Sequence, residues 1–84
     1  MKDENRYYRT TSLPLATFLY SKNQQIAGIQ RLSGSKKEFA FVLTPLLEKL
    51  VDKYKFGDRH DSDLLVPVHL YEYARNELLD RINE

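Results

Sequence analysis

The residues whose chemistry is most suggestive are basic side chains concentrated in the first half of the chain. Residues 1–37 hold seven basic and two acidic residues, whereas residues 38–84 hold six basic and ten acidic residues. Lysine and arginine neutralise phosphates, and a two-stranded ribbon with cationic ends can enter a nucleic-acid groove. Tyr7 and Tyr8 would add stacking on unpaired bases. We therefore predict a nucleic-acid interface formed by six residues: Arg6, Arg9, Lys22, Arg31, Lys36 and Lys37.

The same charges have a simpler interpretation. Lysine-rich turns at the ends of strands protect exposed sheet edges and keep a protein soluble. The pI of about 8.0 is lower than that of a dedicated nucleic-acid-binding domain. Oppositely charged halves also attract each other within one fold or across a dimer. The basic residues thus favour two alternatives, a phosphate-binding surface and a solubility device.

Two further groups could bind a metal or transfer a proton, and both are incomplete. His69 is followed by Glu72, a pair suited to acid–base chemistry, but no nucleophile or oxyanion donor stands beside it. Residues 58–63 lack the turn glycine and closing glutamate of a calcium loop. Their candidate ligands are Asp58, His60, Asp61 and Asp63. We therefore expect no catalytic residue, no metal site and no cofactor, in a protein that is not an enzyme.

The composition is typical of one globular domain. The chain has 84 residues, of which 42% are hydrophobic and 30% charged. It contains no cysteine, which excludes disulfides and cysteine-based zinc sites and fits a reducing cytoplasm. The charged N-terminus does not resemble a signal peptide, and apolar runs of at most five residues are too short to span a membrane. We predict a cytoplasmic protein without membrane contact.

The segment from residue 25 to residue 43 predicts a β-hairpin, because two apolar runs flank a Gly/Ser/Lys cluster. In the second run Phe39 and Phe41 share one face of the strand. In the first run Ile26 and Ile29 are separated by an odd number of positions. They share a face only if the register shifts between them, and Gly28 is the candidate bulge.

Three helices are predicted to cover the phenylalanine face. Ser12 and Thr44 are candidate N-caps, each followed by a proline in the first turn, and Gly57 is the candidate end of the second helix. The third helix is expected to begin at Pro67. Apolar stripes at helical spacing comprise Leu46, Leu47, Leu50, Val51 and Tyr54 in the second helix and Leu70, Tyr71, Ala74, Leu78 and Ile82 in the third.

The expected fold is therefore α+β, a two-stranded antiparallel hairpin packed on three helices in the order α-β-β-α-α. Residues 1–84 form a single domain, with residues 1–10 as an N-terminal arm and residues 11–82 as the folded core. Tyr7 and Tyr8 either attach that arm to the core or form a short strand.

The face of the hairpin opposite the helices is expected to be apolar and to need a partner. That face should hold Ala40, Val42 and one of the two isoleucines. We predict a homodimer formed through this face, with a different protein partner as the alternative to nucleic acid. The predicted interface residues are Tyr7, Tyr8, Ile29, Ala40 and Val42.

Several short motifs resemble a known family. They are S-L-P-L-A-T-F-L at residues 12–19, I-A-G-I at residues 26–29, F-A-F at residues 39–41, and then Pro67 and Arg75. They are similar to a small bacterial and phage family described only as a domain of unknown function. In that family an N-capped D-L-x-L-A-A-F-L helix precedes a G-[VI] strand, an F-x-F strand and a V-x-P…L-R helix. Ser12 stands in place of the capping aspartate and supplies the same capping chemistry.

The resemblance extends over about residues 11–80. It implies the order α-β-β-α-α and an occurrence in bacterial or mobile-element genomes. It implies no catalytic residue, because the family has none assigned.

Overall fold

A computed structural model describes residues 6–58 and 60–83. Its elements are β1 (Tyr7–Thr10), α1 (Leu13–Ser21), β2 (Ile26–Arg31), β3 (Lys37–Val42), α2 (Pro45–Phe56), a short 3-10 helix (Ser62–Leu64) and α3 (Val68–Ile82). The α+β class is confirmed. The first five residues of the predicted N-terminal arm lie outside the described residues.

The sheet has three antiparallel strands in the order β1-β3-β2, so the expected two-stranded sheet and the expected order are wrong. The additional strand is β1, in which Tyr8 pairs with Phe41 and Thr10 with Phe39. Four residues with an arginine among them give a weak strand signal. The second edge of β3 would otherwise expose unpaired backbone groups, and pairing with β1 satisfies them.

A register shift in β2 brings both isoleucines onto the face that packs against the helices. Ile26 pairs with Phe41 and Ile29 with Phe39, and the irregularity lies between Ile26 and Gly28. The predicted bulge is therefore present at Gly28. The expectation that one isoleucine lies on the outer face is wrong. The bulge adds one residue to β2 between the two isoleucines, so both lie on the core face despite their odd spacing.

The ends of α1 and α2 follow the predicted capping chemistry. The Ser12 hydroxyl accepts a hydrogen bond from the Leu15 N–H at 3.2 Å, and the Thr44 hydroxyl accepts one from the Leu47 N–H at 3.0 Å. Gly57 is the C-cap of α2, and its N–H donates to the Lys53 carbonyl. The third helix begins at Val68, one residue later than predicted. Local capping signals thus locate the helices closely.

The core lies between one face of the sheet and the helices. Its largest fully buried side chains are those of Phe39, Phe41, Leu19, Leu47 and Leu78, together with the hydroxyl-bearing Thr17. Three residues of the predicted apolar stripes lie outside it, since Leu46 is 55% exposed, Leu70 is 46% exposed and Tyr54 is 40% exposed. Among the described helices, none is long and apolar enough to cross a membrane.

Candidate nucleic-acid interface

The basic residues that the structure brings together line a cleft at one end of the sheet, beside the loop that joins β2 to β3. The cleft has a volume of about 190 Å³. Arg31 and Lys37 lie directly opposite each other, as the last residue of β2 and the first residue of β3. We call this site the basic cleft, and its lining residues are Ile29, Arg31, Lys37, Arg81 and Ile82.

The third cation of the basic cleft comes from the C-terminal turn of α3. Arg81 lines the cleft, and its guanidinium carbon lies 5.7 Å from the centroid of the Tyr20 ring. A guanidinium over an aromatic face is held by a cation–π interaction. Tyr20 on α1 therefore orients the Arg81 side chain.

The positive charges of the basic cleft repel one another when no ligand is bound. Like charges placed directly opposite each other in a sheet are destabilising, which applies to Arg31 and Lys37. Within residues 6–58 and 60–83, neither of these residues nor Arg81 forms an ion pair. Among the residues that the structure describes, none that lines the cleft carries a carboxylate. A bound anion would relieve this repulsion.

The loop between β2 and β3, residues 32–36, places a fourth cation next to the cleft. The Leu32 N–H donates to the Lys36 carbonyl at 2.9 Å and closes the turn. Gly34 adopts a φ of 67°, a conformation that glycine takes without strain. Lys36 is exposed beside the strand end that begins with Lys37. Lys36 adjoins the basic cleft through Lys37 but does not line it.

Arg9 lies elsewhere, in the edge strand β1 on the outer face of the sheet. It pairs with Ala40 in register, and its Nε lies 3.6 Å from Glu38 Oε1. Its guanidinium carbon also lies 5.7 Å from the Tyr7 ring centroid. These neighbours border a hollow of about 520 Å³ on the outer face, which we call the outer hollow. Arg9 therefore belongs to the outer hollow and not to the basic cleft.

The two remaining predicted cations lie at the opposite end of the sheet. The Arg6 carbonyl accepts the Leu43 N–H at 2.8 Å, just beyond the end of β3. The Lys22 amine donates to the Leu65 carbonyl at 2.8 Å and lies 5.9 Å from the Phe18 ring centroid. The length of β3, roughly 17 Å, separates this end from the basic cleft. The six predicted residues therefore lie in three places, namely at the basic cleft, in the outer hollow and at the opposite end of the sheet.

The predicted interface residues divide between the two faces of the sheet. Tyr7, Ala40 and Val42 share the outer face, where Tyr7 pairs with Val42 and all three are half-buried. Tyr8 and Ile29 pack against the core on the other face. An outer-face interface therefore has only the first three of these residues available.

The acidic segment at residues 58–63 is held by a lysine. The Lys53 amine contacts a carboxylate oxygen of Asp61 at 3.1 Å and also contacts Asp63. The Asp58 carboxylate accepts the His60 N–H at 2.9 Å. In the described part of the chain, no group of three or more acidic, histidine or cysteine side chains is placed to hold a metal ion.

These contacts shift the pKa values of Asp61 and Lys53. The pKa of Asp61 is lowered from 3.8, first by the hydrogen bond from the Asp63 N–H and then by Lys53. The pKa of Lys53 is raised from 10.5, first by its hydrogen bond to Asp63 and then by its hydrogen bond to Asp61. The three side chains act as a clamp between α2 and the 3-10 helix.

Sequence reasoning missed Arg81 as a member of the basic cleft. Arg81 precedes Ile82, the last residue of the predicted apolar stripe of α3. The sequence therefore could have predicted that Arg81 lies at the edge of the buried face of this helix. The sequence gives no information on which part of the sheet the end of α3 meets. Only the packing of α3 on α1 brings Arg81 to the strand end.

Comparison with known proteins identifies a family and no characterised relative. No curated protein and no solved structure matches the chain. A family model described as a domain of unknown function, DUF5659, matches residues 5–64, which run from the start of the sheet to the 3-10 helix. The match covers more than half of the chain, and α3 lies beyond it. The protein therefore belongs to the DUF5659 family, as its capping and strand motifs had suggested.

Proposed function

We propose that the protein is a small non-enzymatic accessory protein of the cytoplasm that binds nucleic acid through the basic cleft. The observation that supports this proposal is the convergence of Arg31, Lys37 and Arg81 on one cleft, whose described lining residues include no carboxylate. The absence of cysteine from the sequence fits the proposed cytoplasmic location.

Phosphate is the anion that suits this arrangement. The two arginines each offer a planar fork of N–H donors that matches two phosphate oxygens, and Lys37 adds a compact charge. Lys36 lies just outside the cleft, where it can contact a neighbouring phosphate of the same strand. A polyanion with regularly spaced phosphates therefore uses all four cations, whereas a single phosphate uses fewer.

Phosphate-driven binding has a characteristic dependence on salt. Three to four neutralised phosphates release bound counterions, so the affinity should fall about 20- to 150-fold between roughly 50 and 200 mM salt. Fluorescence anisotropy of labelled oligonucleotides measures this change directly.

The first prediction is that Lys37→Ala and Arg81→Ala each weaken binding and reduce the salt dependence. Loss of one phosphate contact lowers the slope of log affinity against log salt by about 0.7 to 0.9. Arg75→Ala is the matched control, because Arg75 is also an exposed arginine of α3 but does not line the cleft. Circular dichroism checks that each variant is folded.

Two results would contradict the proposed function. One is the absence of any binding by the parent protein at low salt. The other is an equal loss of affinity in Arg75→Ala and Arg81→Ala, since binding would then follow net charge and not the geometry of the cleft.

A protein partner is the second candidate, including a second copy of the chain or a host protein inhibited by a phage-type product. The observation that favours it is the half-exposed apolar character of Ala40 and Val42 on the outer face. The dispersal of Arg6 and Lys22 away from the basic cleft also favours this candidate over a broad nucleic-acid surface. The mass of the protein in solution, measured by light scattering, tests for the homodimer.

A further inference from the structure

The outer hollow and the basic cleft are continuous around the edge of the sheet. Ile29 and Arg31 of β2 line both of them. β2 lies at the edge of the described sheet, so no other described strand separates the two spaces. Gly28 and Arg31 are about 10 Å apart along the strand, given a rise of roughly 3.3 Å per residue. A chain bound in the basic cleft can therefore cross this edge and enter the outer hollow.

The floor of the outer hollow is flat and bare. Gly28 lies opposite Ala40 in register, so the two smallest side-chain types occupy adjacent strands. A Cβ atom added at Gly28 would meet no heavy atom within 4 Å. A planar ring can lie parallel to the sheet on this floor. Protein surfaces that bind unpaired bases stack them on aromatic side chains, and Tyr7 lines the hollow beside the floor.

The rim of the outer hollow provides polar groups around that floor. Its side chains include the guanidinium of Arg9, the amide of Gln30 and the carboxylate of Glu38. An amide and a carboxylate can pair with the polar edge of a nucleobase. The charges of Glu38 and Arg9 offset each other in the hollow, since Arg9 Nε lies 3.6 Å from Glu38 Oε1. The cations of the basic cleft have no such partner among the described residues, so the charge arrangement favours a base in the hollow and phosphates in the cleft.

We propose that the preferred ligand is single-stranded nucleic acid, with phosphates in the basic cleft and one unpaired base on the Gly28–Ala40 floor. This inference rests on the proposed function and adds a ligand class and a second subsite. A duplex keeps its bases stacked inside the helix and cannot place one on the floor. The parent protein should therefore bind a single strand more tightly than a duplex of the same length.

The decisive variant is Gly28→Leu, which fills the floor without entering the core. Gly28 has no positive φ, and its Cβ direction is open, so the fold should tolerate the new side chain. We expect its affinity for a single strand to fall about 5- to 100-fold, the range for loss of one stacked base. Its affinity for duplex should stay the same. Gly28→Ala is the graded control, with a smaller expected loss.

A single strand that carries abasic sites provides an independent measurement on the unmodified protein. Removing the bases should lower the affinity of the parent by a factor similar to that of Gly28→Leu. The two changes should not add, because each removes the same contact. This comparison also tests the inference if Gly28→Leu does not fold.

The outcomes distinguish the two proposals. If Gly28→Leu and the abasic strand bind as well as their parents, while Lys37→Ala and Arg81→Ala weaken binding, the base subsite is wrong and the proposed function stands. If the parent binds no oligonucleotide at low salt, both are wrong. If Gly28→Leu instead halves the mass of the protein in solution, the outer hollow is a dimer interface and the inference is overturned.

Discussion

At the scale of single residues, two glycines of this chain have opposite surroundings, Gly28 within β2 and Gly57 at the C-cap of α2. A Cβ added at Gly57 would lie 2.6 Å from the carbonyl oxygen of Lys53, whereas one added at Gly28 would meet nothing within 4 Å. The Gly57 N–H donates to that same carbonyl at 2.8 Å, so the end of α2 needs this close approach. Gly57 is therefore required for backbone packing, and Gly28 is open to substitution.

The second prediction compares alanine at these two positions. Gly57→Ala should lower the free energy of unfolding by about 1–2 kcal/mol, because the last turn of α2 must shift to relieve the contact. Gly28→Ala should be neutral or raise that free energy by up to about 1 kcal/mol, because it restricts the unfolded chain. Urea denaturation followed by circular dichroism measures both. Equal stability of the two variants would show that the close approach at Gly57 is relieved without cost.

The bulge shows what residue types reveal by themselves. An odd spacing between Ile26 and Ile29, with a glycine between them, predicted an irregularity at the correct place. The side to which each isoleucine points was not predictable, because a bulge can be resolved towards either face. Burial of apolar surface decided the face, because both isoleucines pack against the core that contains Phe39 and Phe41.

At the scale of elements, the link from α2 to α3 depends on the clamp formed by Lys53, Asp61 and Asp63. The 3-10 helix packs beside α2 and begins after Asp61, whose carboxylate accepts the Asp63 N–H at 2.9 Å. Lys53 joins both carboxylates to α2. The clamp therefore joins the start of the 3-10 helix to α2.

The third prediction concerns the pH dependence of this clamp. The pKa of Asp61 is lowered from 3.8 in the fold, so its contribution to stability is present above that value and is lost as pH falls through the lowered pKa. The pKa of Lys53 is raised from 10.5, so its contribution is present below that value and is lost as pH rises through the raised pKa.

Urea denaturation of the parent and of Lys53→Gln across the pH range tests this prediction. The parent should be more stable near neutral pH, and the difference should vanish at both extremes. Lys55→Gln is the control, because Lys55 is an exposed lysine of the same helix that contacts the Tyr8 ring and forms no ion pair with any residue the structure describes. A difference that is constant across the range would mean that Lys53 acts through packing and not through its charge.

At the scale of the whole molecule, the core depends on a helix that lies beyond the family match. The match ends at residue 64, whereas Ala74 and Leu78 of α3 are buried in the structure. Leu78 has no exposed surface and belongs to the same apolar cluster as Phe39 and Phe41. The elements within residues 5–64 therefore leave part of their apolar surface uncovered unless α3 packs on them.

The fourth prediction measures that dependence. Leu78→Ala should lower the free energy of unfolding by about 2–5 kcal/mol, through lost burial and the cavity left behind. Leu70→Ala is a matched control on the same helix, because Leu70 is 46% exposed. It should change the free energy of unfolding by at most about 0.5 kcal/mol. Denaturant titration gives both values. A small effect of Leu78→Ala would mean that α3 contributes little to the core.

The whole fold also explains why the candidate site was only partly predictable. Arg31, Lys36 and Lys37 are close in sequence around one turn, so their proximity was readable from the chain. Arg6 and Lys22 are no farther from that turn in sequence than Arg81, yet they lie at the opposite end of the sheet, where the backbone of Arg6 and the amine of Lys22 form hydrogen bonds. Sequence distance therefore gave no guide to which cations would meet.

The sequence by itself determined those features that depend on neighbouring residues. Hydrogen bonds within a few residues cap the helices at Ser12, Thr44 and Gly57. The alternation of side-chain directions along a strand places Phe39 and Phe41 on one face. Only the tertiary structure decided the pairing of β1 with β3, the side taken by Ile29 and the arrival of Arg81 at the basic cleft. These depend on which distant surfaces bury one another, and burial is a property of the assembled chain.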